Sequence, residues 1–94
     1  MNETKQFYKF KYKEDYLKCI INMLREKLNK DFNCEKEKNP YTYLLINKHI
    51  DYLTKNYSKI ASKYTWDQLE CIHPVLEFEN DIARLERLVY FLIA

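Results

Sequence analysis

The sequence contains no glycine among its 94 residues. Most tight turns, strand bulges and left-handed helix caps depend on a residue that lacks a Cβ atom. We therefore expect a chain built from helices that are joined by Asn, Asp and Pro. The same absence excludes phosphate-cradling loops and dinucleotide-binding fingerprints, which need glycine where the backbone meets the ligand.

Long apolar runs and a dense cysteine pattern are also missing. The longest apolar run, Leu88 to Ala94, is far shorter than a membrane span, and the first residues show no signal-peptide pattern. The three cysteines, Cys19, Cys34 and Cys71, are an odd number at wide spacing, which favours free thiols over a disulfide framework. We therefore expect a cytoplasmic protein that has no membrane partner.

The net charge of +2 is unevenly distributed along the chain. Residues 1–63 carry fourteen basic and eight acidic side chains, whereas residues 64–94 carry two basic and six acidic ones. The two parts can attract each other within the fold or between subunits. Alternatively, the basic part faces an acidic partner. Lys, Asn, Ile, Tyr and Phe supply 43 of the 94 residues. Their codons are AT-rich, which indicates an AT-rich genome. Compact helical proteins of this length from such genomes are often regulators encoded by phages or other mobile elements.

The spacing of apolar residues predicts an all-α fold, a small bundle of three main helices with no β-sheet in one domain. We expect these helices over about residues 3–30, 40–63 and 66–93. Asn39 and Pro40 predict the cap and the first residue of the second helix. The third helix is expected to open with a capping box formed by Thr65 and Gln68, and to kink at Pro74.

The beginning of the chain allows two interpretations. An apolar stripe extends backwards through Phe10 and favours a helix. However, Tyr8, Phe10 and Tyr12 alternate with lysines, which is the period of a strand. The second interpretation would make residues 5–13 an extended arm that pairs with the sheet edge of a partner.

The expected core consists of the apolar residues that recur at helical spacing. They are Leu17, Ile21, Leu24, Leu28, Ile46, Ile50, Leu53, Ile60, Leu69, Ile72, Val75, Phe78, Ile82, Leu85 and Val89. The last five follow one another at spacings of three and four beyond Pro74, so they are assigned to one face of one helix.

The segment from Leu88 to Ala94 is apolar on every side. A helix of this kind must be buried all round, and a chain of 94 residues can hardly cover it alone. We therefore expect this segment, with aromatic residues near the start of the chain, to contact a protein partner or a second subunit. The candidate partner-binding residues are Leu88, Tyr90, Phe91, Leu92, Ile93, Tyr8 and Tyr12.

A second candidate surface is a basic ridge along the second helix. Its lysines recur at positions i, i+7, i+11 and i+15, with a tyrosine among them. The residues are Lys48, Tyr52, Lys55, Lys59 and Lys63. Basic and aromatic side chains together suit nucleic acid, because it offers both phosphates and stackable bases. The sequence pI of about 8.4 is nevertheless below that of a dedicated nucleic-acid-binding protein.

Patterns for catalysis and metal binding are weak. Cys71 and His73 are two residues apart, and this spacing matches no common zinc knuckle even with Cys34 and His49 added. Neither serine of the chain lies in a nucleophile motif. We therefore expect a protein that is not an enzyme and that takes no cofactor, no metal and no small-molecule substrate.

These observations together predict a non-enzymatic protein-interaction module. We expect a small regulator or inhibitor that binds and occludes a larger partner, and that forms a homodimer through its last helix. The alternative is a nucleic-acid-binding protein that uses the basic ridge.

Overall fold

The described part of the chain, residues 10–94 of a computed structural model, consists of five helices and contains no strand. The helices are α1 (Lys13–Lys30), α2 (Glu35–Lys38), α3 (Pro40–Ala61), α4 (Trp66–Phe78) and α5 (Ile82–Ile93). The all-α prediction is confirmed. The prediction of three main helices is only approximate, because the connection after α1 contains the one-turn helix α2 and the third predicted helix is divided into α4 and α5.

One hydrophobic core joins α1, α3, α4 and α5, whereas α2 contributes no buried residue to it. Helix α3 lies at its centre and packs against both α1 and α5, while α4 packs against α1. Thirteen of the fifteen predicted core residues are buried, and the exceptions are Val75 and Phe78. The core also contains buried residues outside the predicted set, namely Tyr16, Ile20, Phe32, Tyr43, Ala61, Tyr64, Leu76 and Leu92.

The first helix begins at Lys13, later than predicted. Tyr12 has extended backbone angles, with φ of −121° and ψ of 142°, so the helical prediction is wrong for residues 10–12. The reason is the aromatic ring of Phe10, which stacks on Tyr16 with 5.3 Å between ring centroids. In a continuous helix, residues six positions apart lie on different faces and cannot stack. The predictions for residues 1–9, including Tyr8, lie outside the described residues.

The two predicted helix starts differ in outcome. The capping box of α4 is confirmed, because the amide of Gln68 donates to Thr65 Oγ1 and the amide of Thr65 donates to Gln68 Oε1, at 3.1 Å and 2.8 Å. Pro40 is the first residue of α3 as predicted, but Asn39 does not cap this helix through its side chain. Its side-chain amide donates instead to the carboxylate of Glu35, which turns it away from the helix start.

The predicted kink at Pro74 is replaced by a break five residues later. Helix α4 continues through Pro74 and ends at Phe78. Glu79 is extended, and its carboxylate accepts from the amide of Asp81 at 3.0 Å. The Asp81 carboxylate in turn accepts from the amide of Ala83 at 3.0 Å and caps α5. The break is therefore stabilised by local hydrogen bonds that replace those of a continuous helix.

This break explains why Val75 and Phe78 are not core residues. Their spacing to Ile82 placed them on a buried face only if a single helix ran through residues 79–81. The break resets the helical phase, so Leu76 is buried instead, whereas Val75 is 53% exposed and Phe78 is 79% exposed. The assignment of these two side chains to the core is wrong.

The central helix α3 is irregular at Asn56, where φ is −124° and ψ is 20°. The side-chain amide of Asn56 donates to the carbonyl of Tyr52 at 2.9 Å. A regular helix pairs this carbonyl with the backbone amide of Asn56, so the side chain is a further donor to the same group. Helix α3 ends at Ala61, two residues before the predicted end.

Candidate functional site

The last helix buries one side and exposes the other. Val89 and Leu92 are fully buried against the core, whereas Tyr90 is 60% exposed and Phe91 is 57% exposed. Leu88 and Ile93 are partly buried and pack against the core. Leu92 is therefore a core residue, and its assignment to a partner-binding surface is wrong because the amphipathic α5 turns it inward. Tyr90 and Phe91 remain available to a partner.

The end of α5 is held in place by Tyr64. The Tyr64 hydroxyl donates to the carbonyls of Phe91 and Leu92, at 3.1 Å and 3.3 Å. These carbonyls lie in the last turn of the helix, where no backbone amide is available to them. The backbone carbonyl of Tyr64 accepts from Lys13 Nζ at 2.7 Å. The orientation of Phe91 is therefore fixed by the fold, and burial raises the pKa of Tyr64.

Helices α4 and α5 follow one another in a helical hairpin, and each packs on a different neighbour, α4 on α1 and α5 on α3. Residues 79–81 connect them at one end, and at the other end Gln68 and Phe91 line the same hollow. Helical spacing places three or four exposed residues of each helix on the outer side. We call this surface the hairpin face and define it by Asp67, Cys71, Val75 and Phe78 of α4 with Arg84, Arg87 and Phe91 of α5.

A hollow of about 290 Å³ lies within the hairpin face. Its lining is mostly apolar and includes Tyr64, Cys71, Ile72 and Phe91. The Phe91 ring leans on Tyr64 with 6.3 Å between ring centroids. The hollow therefore connects Cys71 and Ile72 of α4 with Phe91 of α5, and Val75 and Phe78 continue the exposed side of α4 beyond it.

The basic ridge is exposed along α3, as the sequence predicted. Lys48, Tyr52, Lys55 and Lys59 all lie on its outer side, while Lys63 follows the end of the helix and lies in the next turn. The same side of this helix also carries two apolar side chains that the predicted ridge does not include. They are Tyr41 and Leu44, which are 77% and 64% exposed. We call the exposed side of α3 the lysine face and define it by Tyr41, Leu44, Lys48, Tyr52, Lys55 and Lys59.

The positive charge of the lysine face is not neutralised within the described residues. Asp51 is the nearest acidic residue along α3, and it pairs with Arg25 of α1 at 3.4 Å. Arg25 also donates to the hydroxyl of Thr54 at 3.0 Å. Among residues 10–94, neither of the two ion pairs found involves a lysine of this face. The face therefore has a positive potential that can attract an acidic ligand.

Helix α3 and the last helix contact each other through two rings beside the lysine face. The His49 ring of α3 lies 6.0 Å from the Tyr90 ring of α5, centroid to centroid. Tyr12 is 55% exposed and lies with Lys11 in a shallow cleft beside Ser58 and Ser62 at the end of α3. Tyr90, Phe91 and Tyr12 are thus exposed in three different places rather than on one common surface.

An aromatic cluster lies on the inner side of α4. The buried ring of Tyr16 stacks between Phe10 and Trp66, at centroid distances of 5.3 Å and 6.0 Å. Its hydroxyl lies 3.3 Å from His73 Nδ1, within hydrogen-bonding distance. Burial, with additional contributions from the nearby Glu70 and Cys19, raises the pKa of Tyr16 to about 12. This cluster resembles a packed core with a satisfied hydroxyl more than a catalytic site.

The candidate zinc ligands do not converge. His73 lies beside Tyr16 and His49 lies beside Tyr90. In the part of the chain that the structure describes, no three metal-ligating side chains come together.

The five helices of residues 10–94 were also compared with the requirements of a membrane span. None of them combines the length and the apolar composition that such a span needs.

The three cysteines are free thiols with different surroundings. Cys34 and Cys71 are exposed, whereas Cys19 is partly buried and this burial raises the pKa of its thiol. Because the thiolate is the reactive form, we expect iodoacetamide at pH 8 to alkylate Cys19 much more slowly than the other two. A mass-spectrometric time course measures this. In guanidinium the three rates should become similar, and equal rates in the native protein would contradict the prediction.

Comparisons with known proteins give no relative. No protein family matches the chain, and neither the curated proteins nor the solved structures contain a significant match. The structure is an all-α bundle with two exposed surfaces that contain apolar residues. The hairpin face carries both acidic and basic side chains, and the lysine face carries only basic ones.

Proposed function

We propose that this protein is a non-enzymatic protein-interaction module, a small regulator or inhibitor that occludes the surface of a larger partner in the cytoplasm. The observation that carries the proposal is the hairpin face, where Val75, Phe78 and Phe91 are each more than half exposed. A continuous apolar surface of this kind typically marks a site of protein contact. Aromatic side chains are also the residues that contribute most to binding energy at interfaces.

The fold supports a role in binding through its rigidity. Tyr64 fixes the end of α5, and the capping box of Thr65 with Gln68 fixes the start of α4. The two helices therefore present their exposed side chains in one arrangement before any partner arrives. Such preorganisation lowers the entropy cost of association.

Co-purification from a lysate of the native host at low salt tests the proposal. We expect the tagged protein to elute with a second polypeptide and a protein-like ratio of absorbance at 260 and 280 nm. The variant that combines Phe78→Ser with Phe91→Ser should lose most of this material. As a matched control, Tyr41→Ser removes an equally exposed aromatic side chain from α3. If neither the wild-type protein nor the control recovers a polypeptide, the proposal fails.

The alternative function, nucleic-acid binding, is favoured by the unneutralised lysines that surround Tyr52 on α3. It predicts a high absorbance ratio that collapses after a salt wash, because each neutralised phosphate releases counterions. Reversing the charges of Lys55 and Lys59 should then abolish binding. Retention of the bound material by this variant would count against the alternative.

A further inference from the structure

We propose that the hairpin face binds a second copy of this chain in a two-fold symmetric dimer. The apolar residues of both copies form the centre of the contact, and Asp67 of each copy pairs with Arg84 or Arg87 of the other. This inference rests on the proposed function, since it names the occupant of the surface that the proposal assigns to protein contact.

The centre of the hairpin face is apolar and continuous. Cys71, Val75 and Phe78 follow one another at helical spacings of four and three along the outer side of α4. Cys71 and Phe91 line the same hollow, so the apolar stripe of α4 continues onto α5. The hollow offers space beside each exposed Phe91 ring into which an aromatic side chain of a second copy can pack.

Residues 64–94 carry six acidic side chains, and two of these lie on the side of α4 that faces α1. Glu70 is close enough to Tyr16 to raise its pKa. Glu77 lines a cleft together with Lys27, and its backbone carbonyl accepts from Lys27 Nζ at 3.1 Å. Neither carboxylate therefore belongs to the outer side of the hairpin.

Three further acidic side chains are occupied elsewhere. The carboxylates of Glu79 and Asp81 accept backbone amides in the connection between α4 and α5. Glu86 is partly buried and lines a cleft with Ala83, Arg87 and Tyr90, on the side of α5 that is turned away from Phe91. Of the six acidic residues, only Asp67 remains on the hairpin face.

The hairpin face therefore carries one acidic residue on α4 and two basic residues on α5. Among residues 10–94, Asp67, Arg84 and Arg87 form no ion pair. A partner with a charge of one sign would be attracted by one helix and repelled by the other. A two-fold contact whose axis runs along the hairpin places the acidic helix of each copy against the basic helix of the other, and every pair then occurs twice with the roles exchanged.

The lysine face is unsuited to the same contact. It carries only positive charge, so two copies that met there would repel each other. Of the two exposed apolar surfaces, the hairpin face alone is complementary to itself. A dimer through this face would leave both lysine faces accessible to another ligand.

Sedimentation equilibrium of the purified protein between about 5 and 200 µM, which detects a dimer with a micromolar dissociation constant, tests the inference. We expect a mass that rises with concentration to twice that of the chain. The double variant Phe78→Ser with Phe91→Ser should weaken the dimer by about a hundredfold or more, since it removes two aromatic anchors from each copy. Tyr41→Ser, on the lysine face, should leave the dimer unchanged. All three side chains are exposed, so each variant should fold, which circular dichroism verifies.

A charge exchange tests the arrangement of the two copies. Asp67→Arg and Arg87→Glu should each weaken the dimer about tenfold, because each places like charges opposite one another. The double variant with both changes exchanges the two partners and should restore the dimer. If the double variant is no better than the single variants, the proposed arrangement is wrong.

The failures of this inference and of the proposed function can be told apart. A protein that stays monomeric over the whole concentration range, or a dimer that is insensitive to Phe78→Ser with Phe91→Ser, overturns the inference. If such a protein still captures a larger polypeptide from the lysate, the proposed function stands with a different occupant on the hairpin face. If the purified protein dimerises through this face but captures no other polypeptide, the inference stands and the proposed function fails.

Discussion

Replacing Leu53 with Ala is expected to lower the free energy of unfolding by about 2–5 kcal/mol. Leu53 is fully buried in α3, the helix that packs against both α1 and α5. Truncation of a buried leucine removes apolar contacts and leaves a cavity that the surrounding helices cannot fill completely. Chemical denaturation followed by circular dichroism at 222 nm measures the change.

Leu44→Ala is the matched control for this prediction. Leu44 lies in the same helix but is 64% exposed, and exposed substitutions usually change the stability by less than about 0.5 kcal/mol. An unchanged unfolding midpoint for Leu53→Ala, or equal effects of the two substitutions, would show that the inner side of α3 has been misplaced.

The second large effect is expected at Tyr16. Tyr16→Ala should lower the free energy of unfolding by about 3–5 kcal/mol, since it removes a buried ring that stacks on both Phe10 and Trp66. Tyr16→Phe retains the ring and loses only the hydroxyl beside His73, so it should cost about 0.5–1.5 kcal/mol. Equal losses for the two variants would contradict a role of the ring in packing.

Measurements at alkaline pH distinguish the contribution of the Tyr16 hydroxyl to stability from the contribution of its ring. The pKa of Tyr16 is raised to about 12 from an ordinary value of 10.0, so the native state holds this proton more tightly than the unfolded state. Its contribution to stability is complete below pH 10 and is lost as the pH rises toward 12. The wild-type protein should therefore lose stability relative to Tyr16→Phe over this interval. Denaturation curves at pH 8, 10 and 11.5 measure the difference, and a constant difference would contradict the assignment.

The central parts of the fold could be predicted from the sequence because their signals are periodic. The stripe through Ile46, Ile50 and Leu53 identified the buried side of α3, and Thr65 with Gln68 identified the start of α4. Both signals depend on residues within a few positions of each other. The positions at which helices begin, end or become irregular depend on single side chains that bind backbone groups, such as Asn56 in α3. A periodic pattern of apolar residues does not reveal such side chains.

The break between α4 and α5 shows the limit of periodicity most clearly. The spacing from Val75 through Phe78 to Ile82 fits one continuous helix, but Glu79 and Asp81 bind backbone amides locally and end it. A signal was present in the sequence, since Asp81 directly before Ile82 is a typical helix cap. The proline was the more conspicuous feature, although α4 passes through it.

The candidate surfaces were accordingly found only in part. Tyr90 and Phe91 were identified from the apolar end of the chain and are exposed, whereas Leu92 in the same turn is buried. Val75 and Phe78 were missed as surface residues because their spacing to Ile82 was interpreted as one continuous helix through residues 79–81. The sequence does not reveal that Arg84 and Arg87 lack an acidic partner, because this depends on where the fold places the acidic residues of α4 and α5.

Tyr64 joins parts of the chain that are far apart in sequence. Its carbonyl accepts from Lys13 near the start of α1, and its hydroxyl donates to the last turn of α5. The first and last helices are therefore held together through one residue in the middle of the chain. Contacts of such long sequence separation form slowly, because much of the chain must be ordered first. During folding, the bond between Lys13 and Tyr64, which spans 51 residues, should therefore form later than the bonds from Tyr64 to the last turn of α5, which span 27 and 28 residues.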